Sequence, residues 1–232
     1  MDIGSLKVVD LTQPLHPDIV MWPGAPGPIF EVVGNVVPDG FNNRRVTFVE
    51  HTGTHFDAPA HMVEGAALLH QIDPGTLIRP AVVIDISQAG AADADSVLTV
   101  DQVAAFEAAH GRIATGSVVL LRTGWEAYNT DLDRYGAGSG RLRFPGFGPD
   151  ATRVLVAERG VVGLGIDTMS IDPGNSDDLV VHRTVSHPRG LWHLEGLQNL
   201  AALPPVGAWI FVGVLNLVDG SGSPARVLAL VP

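Results

Sequence analysis

Cysteine is absent from the 232-residue sequence, and cationic side chains are few. Without thiols the chain can form neither a disulfide nor a thiolate metal site, so histidines and carboxylates must hold any bound ion. Lys and Arg number 14 against 25 Asp and Glu, which gives a formal net charge of −11. Because that charge repels a nucleic-acid backbone or an anionic membrane, we expect neither as a partner.

Long apolar runs are also lacking. The first ten residues show no basic start followed by an apolar stretch, and no segment reaches the length of a membrane span. We therefore expect a cytoplasmic protein. A content of 46% hydrophobic and 17% charged residues suits one domain over residues 1–232 with a sizeable core.

Apolar runs of strand length alternate with helical patterns, which predicts an α/β fold with a mixed sheet and few helices. The continuous runs at 80–86, 116–122 and 161–166 are typical of strands covered on both faces. A capping box that starts at Thr99 predicts a helix ending at Gly111, and a second helix is expected over 150–159. Further strands are predicted at 6–11, 29–37, 45–50, 207–218 and 226–231.

Three histidines and an aspartate lie within eleven residues, at His51, His55, Asp57 and His61. Imidazole nitrogen and carboxylate oxygen are ligands of Zn²⁺ and Mn²⁺. The intervening Thr, Gly and Pro residues disfavour a helix, and on an ideal strand about 13 Å would separate His51 from His55. We therefore predict that the chain leaves a strand at His51, bends at Gly53 and presents His55 and Asp57 from the bend. Two ions bridged by a carboxylate fit the spacing equally well.

This segment resembles the cyclase-like metal-dependent hydrolases, a family that includes bacterial kynurenine formamidase and isatin hydrolase. Its pattern, His-x-Gly-Thr-His-x-Asp-x-Pro-x-His, is present here without departure. The resemblance implies a swivelling β/β/α fold and a homodimer or homotetramer. It also implies two distal metal ligands, His182 and Glu195, from a His-Arg pair followed by Glu-x-Leu-x-Asn-Leu. The interval between them is one residue longer than in the family, which leaves His187 as a rival ligand.

The same resemblance indicates where substrate binds. The Pro- and Gly-rich segment 13–28 carries Trp22, which is either a hydrophobic plug or part of the substrate pocket, in some relatives that of a neighbouring subunit. We expect Trp22 and Phe41 to contact substrate. Ala25 stands where family members often place an Asp.

Asp167 and Asp172 are expected to cap turns or orient a neighbouring group rather than to bind metal.

A divalent ion lowers the pKa of bound water towards about 7 and polarises a carbonyl, which favours hydrolysis. His61 is last in the cluster and follows a proline, so we predict a general base rather than a ligand. The predicted activity is that of an arylformamidase, which converts N-formylkynurenine to kynurenine and formate with one or two Zn²⁺ or Mn²⁺ ions per chain. Two alternatives stay open, namely a ring-opening hydrolase of a lactam such as isatin or of a lactone, and a non-catalytic metal-binding protein.

Overall fold

The computed structural model describes residues 5–136 and 141–232. The strands are β1 Lys7–Asp10, β2 Ile29–Gly34, β3 Asn43–Thr47, β4 His55–Asp57, β5 Ile78–Asp85, β6 Val97–Leu98, β7 Val118–Arg122, β8 Gly146–Phe147, β9 Gly163–Ile166, β10 Trp192–Glu195, β11 Ala208–Val214 and β12 Gly222–Val231. The helices are the single distorted turn α1 Val36–Asp39, α2 Ser87–Ala92, α3 Val100–His110, α4 Pro149–Ala157 and a π-helical segment, Val181–Ser186. Short 3₁₀ turns cover Pro59–His61, Leu69–Gln71, Pro74–Thr76, Trp125–Tyr128, His187–Arg189 and Leu200–Ala202.

Seven strands form a closed, barrel-like sheet in the order β12-β11-β5-β7-β9-β10-β4. The ring closes because β4 pairs with β10 on one side and with β12 on the other. Strands β5, β7, β9 and β10 run parallel, whereas the remaining neighbours are antiparallel. The long β12 also pairs with β1 along the end that β4 leaves free. The sheet is therefore mixed, as the sequence predicts.

Two apolar clusters cover the two faces of this sheet. On β7, Leu120 belongs to the cluster that includes Phe56 and Trp192, whereas Leu121 belongs to the cluster that includes Leu155 of α4. Successive side chains of a strand point to opposite faces, so a strand that is buried on both sides must be apolar at every position. The prediction of doubly covered strands from the continuous apolar runs is thereby confirmed.

Helix α3 begins where its capping box predicts. The hydroxyl of Thr99 accepts a hydrogen bond from the Gln102 backbone amide, and the Gln102 side chain accepts one from the Thr99 amide. Gly111, which has a φ of +88°, follows the last helical residue. No helix within the described residues combines the length and the apolar character needed to cross a bilayer.

The strands predicted at 29–37 and 45–50 are shorter in the structure and form a separate hairpin, β2–β3. The chain leaves β2 at Gly34 because the turn of α1 follows. Several apolar side chains of this hairpin face outward, and Ile29, Val32 and Phe41 are each more than half exposed. The sequence did not predict β4 or β10, the two short strands that complete the ring.

The packing of β9 against β10 gives a test of the barrel. An added Cβ at Gly163 would lie 2.7 Å from ring atoms of Trp192, a residue that is itself fully buried. We expect Gly163→Ala to lower the free energy of unfolding by about 1–3 kcal/mol through overpacking, measured by urea denaturation. Gly213→Ala on β11 is the matched control, because its Cβ would meet nothing closer than 3.4 Å. Equal losses in the two variants would contradict this account.

Candidate metal centre

A glycine turn leads the chain into β4. Gly53 has a φ of +63°, and a Cβ there would lie 2.7 Å from the Ile19 side chain, so the turn requires glycine. After the turn, His55 and Asp57 project from one face of β4, while Phe56 between them packs in the barrel core. The bend at Gly53 is therefore found, but the expectation that His55 and Asp57 lie on the bend itself is wrong. They lie on a strand because β10 and β12 pair with this segment from both sides.

Strand pairing also brings in the distal half of the centre. Glu195 of β10 stands opposite His55 of β4 in the antiparallel register, and side chains at such positions are neighbours. The π-helical segment supplies His182, which is buried beside them. Residues that are 140 positions apart in the sequence thus face one another.

Four of these side chains form a ring of alternating nitrogen and oxygen atoms, which we call the carboxylate site. The Nε2 atom of His55 lies 3.2 Å from Asp57 Oδ1 and 3.4 Å from Glu195 Oε2. Across the ring, His182 Nε2 lies 3.4 Å from Asp57 Oδ2 and 3.3 Å from Glu195 Oε1. All four side chains are buried. The donor atoms converge on one small volume, as a bound cation requires.

Each imidazole in the ring is oriented by a second hydrogen bond. His55 donates from Nδ1 to the Gly53 carbonyl at 2.9 Å, and His182 donates from Nδ1 to Asp172 Oδ2 at 2.6 Å. Asp172 also accepts the backbone amides of Val181 and His182. With the protons fixed on Nδ1, the Nε2 lone pairs are free to bind a cation. This placement of Asp172 agrees with the sequence expectation that it orients a neighbouring group.

His51 and His61 lie at the open side of the ring. The Nδ1 atom of His51 is 2.6 Å from Asp57 Oδ1, and its Nε2 is 3.2 Å from the Ser221 hydroxyl. The His61 ring packs against that of His51, with centroids 3.8 Å apart. His51, Asp57 and His61 each offer a donor atom, and these atoms lie within 4.8 Å of one another. The structure thus brings together all five predicted metal ligands and the predicted base.

In this cluster, burial and neighbouring charges shift the pKa values of the side chains in opposite directions. Burial alone would raise the pKa of Asp57, but the charge of His55 and three hydrogen bonds from histidines hold it well below its ordinary value. Burial alone would lower the pKa of His55, yet the charge of Asp57 and hydrogen bonds to both carboxylates raise it to about 10. His55 therefore carries a proton in the metal-free chain, and a cation would displace it. By contrast, burial lowers the pKa of His61 to about 4, so that ring is neutral at pH 7.

The residues of the centre fit a divalent cation. Asp57 and Glu195 are two buried carboxylates. Burial and the charge of Asp57 act to raise the pKa of Glu195, but hydrogen bonds from His182 and His55 and the charge of His182 lower it to about 2, so both groups are ionised. Buried like charges need an opposite charge between them. Oxygen and imidazole donors without a thiolate are those that Zn²⁺ and Mn²⁺ share.

A cavity of about 380 Å³ opens onto the centre. Trp22 lies in its wall, together with other large apolar residues, of which only Val20 and Met21 belong to the segment 13–28 that the sequence connected with substrate. These additional wall residues are Val20, Met21, Val49, Met62, Tyr135, Met169 and Leu179. Phe41 is not in the wall, because it lies on the β2–β3 hairpin with its ring against Gly34.

Trp125 and Asp167 have structural positions near the centre. Trp125 is buried against Tyr128, in an apolar cluster that includes Tyr135 of the cavity wall, and does not itself line the cavity. Asp167 accepts hydrogen bonds from the backbone amides of Thr123 and Gly124 and caps that turn, as expected.

Comparison with known proteins places the chain among hydrolases. Residues 9–173 match the family model described as putative cyclase. Isatin hydrolase of Roseibium aggregatum is 34% identical over 99% of this chain and 93% of its own length. Kynurenine formamidase of Geobacillus thermodenitrificans is 30% identical over 94% of each chain. The structure of isatin hydrolase A from Ralstonia solanacearum has a TM-score of 0.91 at 36% identity, over 99% of this chain and 93% of that one. These similarities confirm the predicted cyclase-like fold.

The Asp172 contact gives a test of the centre. Asn at this position keeps one acceptor oxygen but loses the charge and cannot accept all four of the hydrogen bonds that Asp172 accepts, which come from two backbone amides, His182 Nδ1 and the Ser176 hydroxyl. We expect Asp172→Asn to weaken Zn²⁺ binding by about 10- to 100-fold, measured by competition with a chelator. Asp177→Asn, on an exposed position of the same loop, is the control and should bind normally. Unchanged affinity in both variants would show that Asp172 does not position a ligand.

Proposed function

The chain belongs to the cyclase family of metal-dependent hydrolases, and from that premise we propose that it opens the amide ring of a bicyclic aryl lactam of the isatin class. Its relatives are hydrolases that cleave amide C–N bonds, which sets aside the alternative of a non-catalytic metal-binding protein. The open-chain formamide that the sequence favoured is the second candidate substrate.

The composition of the cavity wall supports the lactam. None of the described residues that line it is a Lys or an Arg, and half of the eighteen are apolar or aromatic. N-formylkynurenine carries the carboxylate and ammonium of an amino acid, and a carboxylate without a partner in an apolar pocket costs free energy. A planar, neutral lactam needs no such partner. The greater identity to isatin hydrolase than to kynurenine formamidase, 34% against 30%, supports the same choice.

In this proposal five side chains hold the cation, namely those of His51, His55, Asp57, His182 and Glu195. When bound, the cation polarises the amide carbonyl and lowers the pKa of a water molecule. His61 takes a proton from the attacking water and returns it to the leaving nitrogen. One C–O bond forms, one C–N bond breaks, and one proton moves from oxygen to nitrogen, so the step is balanced. The neutral state of the buried His61 ring suits it to accept that proton.

The apolar side chains of the cavity wall have a different role, which is to bind the aryl ring. Met21, Trp22 and Val49 line the cavity near the centre, where they would pack on the aryl ring and keep bulk water away from the carbonyl.

We also propose a homodimer or homotetramer, because the β2–β3 hairpin exposes a group of large apolar side chains, and such groups mark protein interfaces. Phe41, on this hairpin, would then contact substrate only through a neighbouring subunit.

Substrate preference tests the proposal. We expect kcat/KM for isatin to exceed that for N-formylkynurenine by at least about tenfold, because none of the described residues that line the cavity is a Lys or an Arg that could pair with the carboxylate of the amino acid group. Ala25 lines the cavity, and Ala25→Asp would place a carboxylate near the substrate ammonium. This variant should shift the ratio towards N-formylkynurenine by about two- to fivefold, whereas the neutral control Ala25→Asn should not. A wild-type preference for N-formylkynurenine would reverse the assignment.

The role of His61 is tested by separating metal binding from turnover. We expect His61→Ala to retain its metal, measured by elemental analysis, while kcat falls by about 10²- to 10⁴-fold. His16→Ala, at an exposed loop position, controls for the loss of a histidine as such. Loss of metal in His61→Ala would make His61 a ligand, consistent with its place beside His51 and Asp57.

A further inference from the structure

The loop that leads into β12 places a hydroxyl group beside the open side of the metal centre. Ser221 directly precedes β12, whose first residue, Gly222, stands opposite Asp57 of β4. The Ser221 carbonyl accepts the Ala58 backbone amide at 2.8 Å, which fixes this loop relative to β4. Its hydroxyl oxygen lies 3.2 Å from Nε2 of His51. Neither the motif nor the family resemblance indicated this contact.

The Glu50 side chain determines the direction of the hydrogen bond between Ser221 and His51. One oxygen of Glu50, Oε2, accepts the Ser221 hydroxyl at 2.7 Å, and it also accepts the backbone amides of Ser221 and Gly222 at 2.9 and 3.2 Å. A carboxylate oxygen at 2.7 Å is a stronger acceptor than a ring nitrogen at 3.2 Å. Because a serine hydroxyl has only one proton, which Glu50 takes, its oxygen must accept from His51. The proton of the His51 ring is therefore held on Nε2.

Close packing keeps the His51 ring in this orientation. An added Cβ at Gly222 would lie 2.5 Å from Cε1 of the ring and 2.9 Å from Nδ1, so the ring rests directly on the glycine backbone. The His61 ring also packs against it, with centroids 3.8 Å apart. With Nε2 directed at Ser221, the other ring nitrogen, Nδ1, faces Asp57 Oδ1 at 2.6 Å. It is thus Nδ1 that His51 presents to the centre.

We propose that Ser221 and Glu50 are positioning residues, which hold His51 in the tautomer with its proton on Nε2 and thereby leave the Nδ1 lone pair for the cation. The proposal depends on the proposed function only in taking His51 as a metal ligand. His55 and His182 have the opposite arrangement, in which Nδ1 carries the proton and Nε2 faces the centre. The nitrogen that is protonated in each ring is set by the acceptor on its far side.

The Ser221 hydroxyl acts against a competing hydrogen bond. Asp57 Oδ1, at 2.6 Å, is well placed to accept a proton from Nδ1 of His51, and a ring that is protonated there has no lone pair for a cation at that nitrogen. An acceptor at Nε2 stabilises the other tautomer, which can bind. Because His61 packs on the same ring, the hydroxyl also fixes the surface against which the proposed base lies.

Ser221→Ala tests the proposal, because it removes the hydroxyl but keeps both backbone amides that donate to Glu50. We expect the affinity of the full chain for Zn²⁺, measured by competition with a chelator, to fall by about 10- to 100-fold. Ser221→Thr keeps a hydroxyl and should recover most of this loss. The matched control is Ser223→Ala, which removes a hydroxyl that donates to the Pro224 carbonyl, and it should bind zinc as the wild type does.

The tautomer itself can be read in the zinc-loaded wild type. NMR of protein labelled with ¹⁵N at histidine should show the proton of the His51 ring on Nε2, with the ring identified by its proximity to Gly222. A proton on Nδ1 would overturn the proposal, even if Ser221→Ala does not fold. Equal zinc affinity in Ser221→Ala and Ser223→Ala would also overturn it, and would leave the proposed metal centre intact. A wild type that binds no zinc would instead refute the centre together with its positioning residues. Neither readout depends on which substrate is hydrolysed.

Discussion

Two buried carboxylates, Asp57 and Glu195, lie at the same depth in this protein, and the surrounding structure serves to compensate their charge. They meet because β4 pairs with β10, the pairing that also closes the ring of strands. In the metal-free chain, the imidazoles of His55 and His182 lie between them and supply the opposite charge. Closing the barrel and assembling the centre are therefore the same structural event. An uncompensated pair at this depth would cost several kcal/mol.

The parts of the fold that sequence could predict are those governed by local rules. The capping box of α3 and the apolar run of β7 follow from neighbouring residues, and both are found. Strands β4 and β10 were missed for a physical reason. Their alternate residues face the centre and are polar, so that each strand contributes only one or two apolar side chains, such as Phe56 and Leu194. Alternation of apolar and polar residues identifies a strand only over about four to eight residues, and β4 with three residues and β10 with four are at or below that length.

For the candidate site too, the sequence predicted the residues of the motifs and missed the contacts between distant segments. The motif and the family resemblance named the metal ligands, and the structure brings those side chains together. The carboxylate that orients the His182 ring belongs to Asp172, ten positions earlier in the chain. No sequence feature next to either residue indicates this hydrogen bond. The wall of the cavity is assembled from distant segments, and so the sequence alone did not favour a ring over an open chain.

Spacing alone also left open whether one or two ions bind, and the orientation of Asp57 bears on that choice. Its Oδ1 faces His51 at 2.6 Å and His55 at 3.2 Å, while its Oδ2 faces His182 at 3.4 Å. A carboxylate that turns each oxygen towards a different set of imidazoles has the form of a bridge between two cations. Asp57 therefore joins the half of the centre formed by His51 and His55 to the half formed by His182.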